Sequence, residues 1–279
     1  MKIKNILLLS IAAALAVACH DNPEPVKPMV TVSIEPLRYF VEQIARDRID
    51  VVTMVPSGNN PETYEPTARQ MVALTNSDLY IKVGNLGFEQ TWMKRLKNNA
   101  PHLIIADASQ GIRPLPTTGA TGDPHTWMSP ANALRMAYNI YSSLARLDAK
   151  DSMFFKSNLD SLRDVIIKTD AVISEKLRSL DKRSFIIYHP ALSYYAYDYG
   201  LKQLAIEEDG REPSAASLQN LIDNAKRQGA KLMFMQKEFA NRNSDIVSRG
   251  TGARVVVINP LSYDWDKEIL KITDELCKQ

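Results

Sequence analysis

A chain of 279 residues, 45% apolar and 24% charged, has room for one large or two ordinary domains and enough apolar residues for packed cores. A formal net charge of +2, with no basic run interleaved with aromatics, excludes nucleic acid as a partner. With one of the two cysteines at the end of an export signal, Cys277 has no internal mate, so no disulfide framework is expected.

Residues 1–18 read as a signal peptide. "MKIK" is a basic n-region and "ILLLSIAAALAVA" an apolar stretch too short to span a bilayer. The small residues before Cys19 resemble a bacterial lipobox, with Ala16 where leucine is more usual. Export, cleavage before Cys19 and lipidation of its thiol are expected; the alternative is an ordinary signal with cleavage nearby. Residues 19–28, polar and Pro-rich, suit a tether. No later apolar run is long enough to cross a membrane, which predicts a protein anchored to a membrane and not spanning it.

From residue 29 onward strand and helix signals alternate. "MVTVSI", "IDVVTMV", "DLYIKV" and "HLIIA" read as strands; "PLRYFVEQIARDR", "PTARQMVALTNS", "FEQTWMKRLKNN" and "SPANALRMAYNIYSSLARLD" read as helices. Ser129 is placed to cap the last of these, with Pro130 in its first turn. Next comes a stretch almost free of turn residues, with apolar positions at Phe155, Leu159, Leu162, Ile166 and Val172/Ile173. It predicts one helix of roughly 30 residues, about 45 Å long. The alternation then resumes through "SFIIYH", "LKQLAIEE", "AKLMFMQ" and "ARVVVINP", with helices between and a closing helix from about Asp264. The fold class is α/β: two lobes, residues 29–148 and 183–279, each a helix-covered parallel sheet, joined by a linking helix over 149–182.

Two loops echo each other. "NNPETYEPT" and "GDPHTWMSP" both run Pro, a donor side chain, Thr, an aromatic. The donors are Glu62 and His125. Of the four histidines, His20 lies in the tether and His102 reads as structural. His189 ends the strand "FIIYH", and ligands gather at the carboxyl ends of strands in open α/β sheets. Two imidazoles and a carboxylate suit a borderline divalent cation such as zinc. Each residue also has an ordinary reading: Glu62 as an exposed carboxylate, His125 as a partner of its turn, His189 as a satisfied core histidine.

Five segments, "NNPETYEPT", "GDPHTWMSP", "YHPALSYYAYDYGL", "EEDGREPSAASL" and "GARVVVINPLS", occur in the order found in the zinc- and manganese-type lipoproteins that feed ABC importers. The chain resembles this TroA/ZnuA-like cluster from about Thr31 to its end. The resemblance implies two Rossmann-like lobes, one long rigid helix and one metal in the cleft. It places the family's three histidines at Glu62, His125 and His189. It places the fourth ligand at Glu208, Glu207 or Asn259, in that order; Asn259 stands where many members have a carboxylate. The His-rich loop of some zinc-type members has no counterpart before His125.

The implied function is capture of a divalent cation and delivery to an ABC permease, by a lipid-anchored monomer that is not an enzyme. Zinc is the first choice and manganese or iron the alternative, since Glu62 hardens the donor set while Asn259 removes a charge. Rival readings are a two-lobed binder of an organic ligand such as a siderophore or haem, and a zinc metalloenzyme with Glu65 as base. A cell-adhesion role, suggested for some relatives, is compatible with metal capture.

Overall fold

Two four-stranded parallel sheets take up the eight strand signals of the sequence. The computed structural model describes residues 27–116, 122–207, 213–236 and 242–279; Cys19 and Glu208 lie outside the described residues. The first sheet holds β1 (Met29–Val32), β2 (Asp50–Thr53), β3 (Leu79–Lys82) and β4 (Ile104–Asp107) in the order β2-β1-β3-β4. The second holds β5 (Ser184–Ile187), β6 (Lys202–Ala205), β7 (Leu232–Gln236) and β8 (Arg254–Ile258) in the matching order β6-β5-β7-β8. Thr31 pairs with Val52 and Tyr80, and Ile187 with Ala205 and Phe234. Inner strands are covered on both faces, so "MVTV", "LYIK" and "SFII" are almost wholly buried. The edge strands β2 and β8 leave Val52, Val255 and Val257 exposed. In each sheet the strand order reverses beside the first strand. The carboxyl ends of β1/β3 and β5/β7 are therefore switch points, where such sheets form ligand crevices.

The helices are α1 (Glu35–Ala45), α2 (Ala68–Leu74), α3 (Gly87–Asn99), α4 (Pro130–Leu147), α5 (Ser152–Arg178), α6 (Ser193–Asp198), α7 (Ala215–Arg227), α8 (Arg242–Thr251) and α9 (Trp265–Leu276). Ser129 caps α4 by accepting from the Asn132 amide. A short 3-10 turn at Ala149–Asp151 precedes α5, which has 27 residues and no internal Gly or Pro; at 1.5 Å per residue it is about 40 Å long. Its buried stripe is Phe155, Leu159, Leu162, Ile166, Thr169, Ile173 and Leu177, the spacing of one helix face. That stripe packs along α1, α4 and α9.

The closing helix α9 does not stay over the second sheet. Its Trp265 ring lies 5.4 Å from Phe40 and 6.5 Å from Tyr39, both on α1. One apolar core thus runs from Val30 and Ile81 past Ile166 and Ile173 to Phe185 and Phe234. A smaller cluster about Ile186, Met233 and Val247 covers the second sheet's other face. No helix among the described residues is long and apolar enough to cross a membrane.

Candidate metal centre

His189 lies just past β5, at the second sheet's switch point, and its backbone is held by the end of β7. The Gln236 carboxamide accepts from His189 N at 3.4 Å and donates to His189 O at 2.9 Å. His125 comes from the first half, at the entry to the 3-10 turn before α4. The two rings meet in the cleft, with Nε2 to Nε2 at 3.2 Å and ring planes 69° apart.

Each ring has a carboxylate at its other nitrogen. Asp123 Oδ1 accepts from His125 N at 2.8 Å and lies 2.9 Å from His125 Nδ1. Glu207 Oε1 lies 3.3 Å from His189 Nδ1. An ionised carboxylate only accepts, so Nδ1 of His125 carries hydrogen, and its Nε2 faces the cleft. Burial opposes charging of His125, yet the adjacent Asp123, with Glu62 and Glu207, holds the imidazole above its ordinary value. Burial would likewise raise Asp123, but His125 and the Ser193 hydroxyl hold its carboxyl below the usual range.

Glu62 approaches from the loop after β2. Its Oε2 accepts from Gly87 N at 3.0 Å, while its Oε1 is buried without a hydrogen-bond partner among the described residues. The approach requires glycine at 87, because a Cβ there would fall 2.5 Å from Glu62 O and 2.8 Å from Glu62 Oε2. A buried Glu89 sets the same corner. Its carboxylate accepts from Val83 N and Gly84 N at 2.7 Å each, from Leu86 N, and from the Ser33 hydroxyl. Burial pushes the Glu89 carboxyl up, against those bonds and Lys82.

The cavity between these elements is small, about 30 Å³, and its lining includes Pro61, His125, His189, Gln236 and Asn259. Asn259 is exposed, and its Oδ1 accepts from Leu261 N at 3.2 Å. Glu207 sits behind His189, at Nδ1 and not at Nε2. Among the described residues no three His, Cys, Asp or Glu side chains stand as a preformed chelating group. The reason is visible in the contacts: Glu62 turns to Gly87, and Glu207 to the back of a ring. Glu65 and His102 are exposed. Sequence reasoning passed over Asp123, Gln236 and Glu89; the Asp two residues before His125 in "GDPH" was the one local signal.

The family model "Zinc-uptake complex component A periplasmic", ZnuA, matches residues 30–271. The chain belongs to the ZnuA family. The high-affinity zinc uptake system protein ZnuA of Bacillus subtilis is 26% identical over 250 residues, covering 83% of this chain and 78% of that protein. The zinc-binding lipoprotein AdcA of Streptococcus pneumoniae is 27% identical over 280 residues; the match covers 94% of this chain and 56% of AdcA. A crystal structure of ZnuA superposes with a TM-score of 0.87 at 35% identity, covering 91% of this chain and 99% of that one. A ZnuA with residues 138–173 deleted and zinc bound gives 0.86 at 35% identity, covering 90% and 97%. ZnuA-family chains are metal-binding, extracytoplasmic components of importers, and the family is not one of enzymes.

Proposed function

We infer that this ZnuA-family chain captures one zinc ion between its halves and passes it to an ABC permease, with His125, His189 and Glu62 as protein donors. The observation that supports this reading is the pair of imidazoles. Tetrahedral zinc with nitrogens at 2.0–2.1 Å needs an N···N edge of about 3.3 Å. The two Nε2 atoms stand 3.2 Å apart, brought from different halves. Each ring is backed by a carboxylate, the usual outer partner of a metal-ligating histidine. Two unprotonated Nε2 atoms at that distance repel unless a cation or a proton lies between them. The orphaned Glu62 Oε1 fits a third donor, since a buried acceptor without a partner costs about 1–3 kcal/mol. Glu207 then acts as orienter of His189. The fourth position falls to Glu208 or to Asn259, which would release Leu261 N on binding.

The cavity volume argues against an organic ligand. It admits about one water, whereas pockets for such ligands are about 300–1,000 Å³. Zinc is preferred because the relatives named above are zinc proteins; manganese or iron would be favoured by the hardness of Glu62. Attachment of a monomer to the membrane through Cys19 completes the reading. Elemental analysis with calorimetric titration tests it. We expect one zinc per chain, loss of binding in His125→Gln and His189→Gln, and weaker binding in Glu62→Gln. Zinc binding at full strength in the double histidine variant would overturn it.

A further inference from the structure

The segment bearing His125 belongs to the first half by sequence and keeps bonds there, from Asn85 to Gly122 O at 2.9 Å and between Ser109 and Thr126 at 2.8 Å, yet the second half holds it as well. Tyr194, on α6, is buried, and its phenol reaches across to the ends of the 115–123 segment. It accepts from Leu115 N at 3.2 Å and donates to Asp123 O at 3.0 Å. Asp123 N already donates to Leu115 O at 3.0 Å. One hydroxyl therefore takes up the two backbone groups that this neck leaves over. Asp123 in turn holds His125 through both its backbone N and its ring. Further along, the Trp127 indole donates to Pro260 O at 2.8 Å and the Ser129 hydroxyl bonds Asp198. Residues 123–129 are thus tied to the second half at three places.

We propose that Tyr194 is a positioning residue for metal capture: from the second half it locks Asp123, and through Asp123 the His125 ring, so that its Nε2 stays aimed at that of His189. The inference rests on the metal reading of His125. The physical argument is short. An imidazole held by one bond at Nδ1 still pivots with its partner, so the partner's own backbone must be fixed. Asp123 follows Gly122, a residue with φ of +75°, so its backbone is fixed by its hydrogen bonds, its N–H to Leu115 O and its carbonyl to the Tyr194 phenol.

The test compares Tyr194→Phe with wild type and with Tyr199→Phe, which removes a phenol of the same region bonded to Asp170. The first readout needs no metal: nitrogen-resolved NMR of the histidine rings in a pH series carried above the ordinary imidazole range until the His125 ring is neutral. Wild type and Tyr199→Phe are expected to show His125 as the single Nδ1–H tautomer, and Tyr194→Phe a mixture. The second is zinc affinity by chelator competition, expected to fall tenfold or more in Tyr194→Phe, the low end for loss of an outer partner, and to hold in Tyr199→Phe. A single tautomer with unchanged affinity in Tyr194→Phe overturns the proposal. So does a tautomer mixture at His125 in wild type, which requires no variant to fold. If His125→Gln and His189→Gln bind zinc like wild type, the metal reading fails instead, and the tautomer readout still decides whether Tyr194 orients the ring.

Discussion

Gly87→Ala sets two physical effects against each other. Gly87 opens α3 and lies outside the left-handed region, so alanine fits its backbone. Helix propensity alone then predicts a gain of at most about 1 kcal/mol. Packing predicts the reverse. The new Cβ would stand 2.5 Å from the Glu62 carbonyl oxygen and 2.8 Å from its Oε2, about 1 Å inside ordinary contact. The nearer atom is backbone, so no rotamer change relieves it; the Glu62 loop must move. Overpacking of this kind costs roughly 1–3 kcal/mol, which outweighs the propensity gain and leaves a net loss of about 1 kcal/mol. The larger effect falls on the metal, because Glu62 leaves its place and zinc affinity drops on the order of tenfold or more. Zinc titration under chelator competition, with metal-free thermal melts, measures both. Because one residue acts through the other, Gly87→Ala and Glu62→Gln should be non-additive. A variant that melts higher and keeps wild-type zinc affinity would refute the argument.

Glu89→Gln places an amide nitrogen where every neighbour donates: Ser33, Val83 N, Gly84 N and Leu86 N. Urea unfolding should show a loss of about 2–4 kcal/mol, and zinc should bind more weakly because the Gly87 corner shifts. Burial pushes the Asp198 carboxyl up, with the Asp170 charge adding to it, against the bond from Ser129. A raised carboxyl stabilises the fold in acid and loses that contribution as pH rises through its folded value. Asp198→Asn should therefore gain on wild type as pH rises above the ordinary carboxyl value of about 4; a stability gap that does not change with pH would contradict this. Because α5 has no internal Gly or Pro, adding zinc should leave the radius of gyration nearly unchanged in solution scattering. The melting temperature should rise, by about 2.7 kcal/mol of stability at a hundredfold excess over Kd. A large compaction would rule out the strut.

The fold was legible because its signals are local. "MVTV" and "SFII" are strands covered on both faces, and Phe155 to Ile173 repeat at helical spacing whatever surrounds them. The ends of α5 were less so: Ala149–Asp151 tightens into a 3-10 turn that the apolar pattern does not encode. Periodicity says that α9 has an apolar face; it does not say that the face crosses to Phe40. Of the candidate site, the position of His189 past β5 was legible, because there a donor type met a structural position. Asp123 and Gln236 were not, since an acidic loop residue or a polar strand end has many ordinary uses. Their role exists only once Asp123 Oδ1 meets His125 and the Gln236 carboxamide meets the His189 backbone.

These contacts also divide the site into a fixed part and an adjustable part. His189 is gripped by Gln236 at the end of a buried strand, and His125 by Asp123, itself held from the second half. The Nε2 separation is therefore a property of the frame, and in the proposed site it would accept zinc without distinguishing it from other small divalent cations. Discrimination has to come from the groups that still have freedom. Among the described residues Glu62 has one oxygen committed to Gly87 and one uncommitted, and the Asn259 side chain makes one bond, from Leu261 N, while its backbone is held by Glu268 and Ser262. The imidazole that the resemblance implies at 62 is here a carboxylate, and the carboxylate implied at 259 an amide; in the proposed donor set this keeps the total charge while hardening one arm. On the proposed donor set the frame would set how tightly a cation is held, and the Glu62 arm which cation.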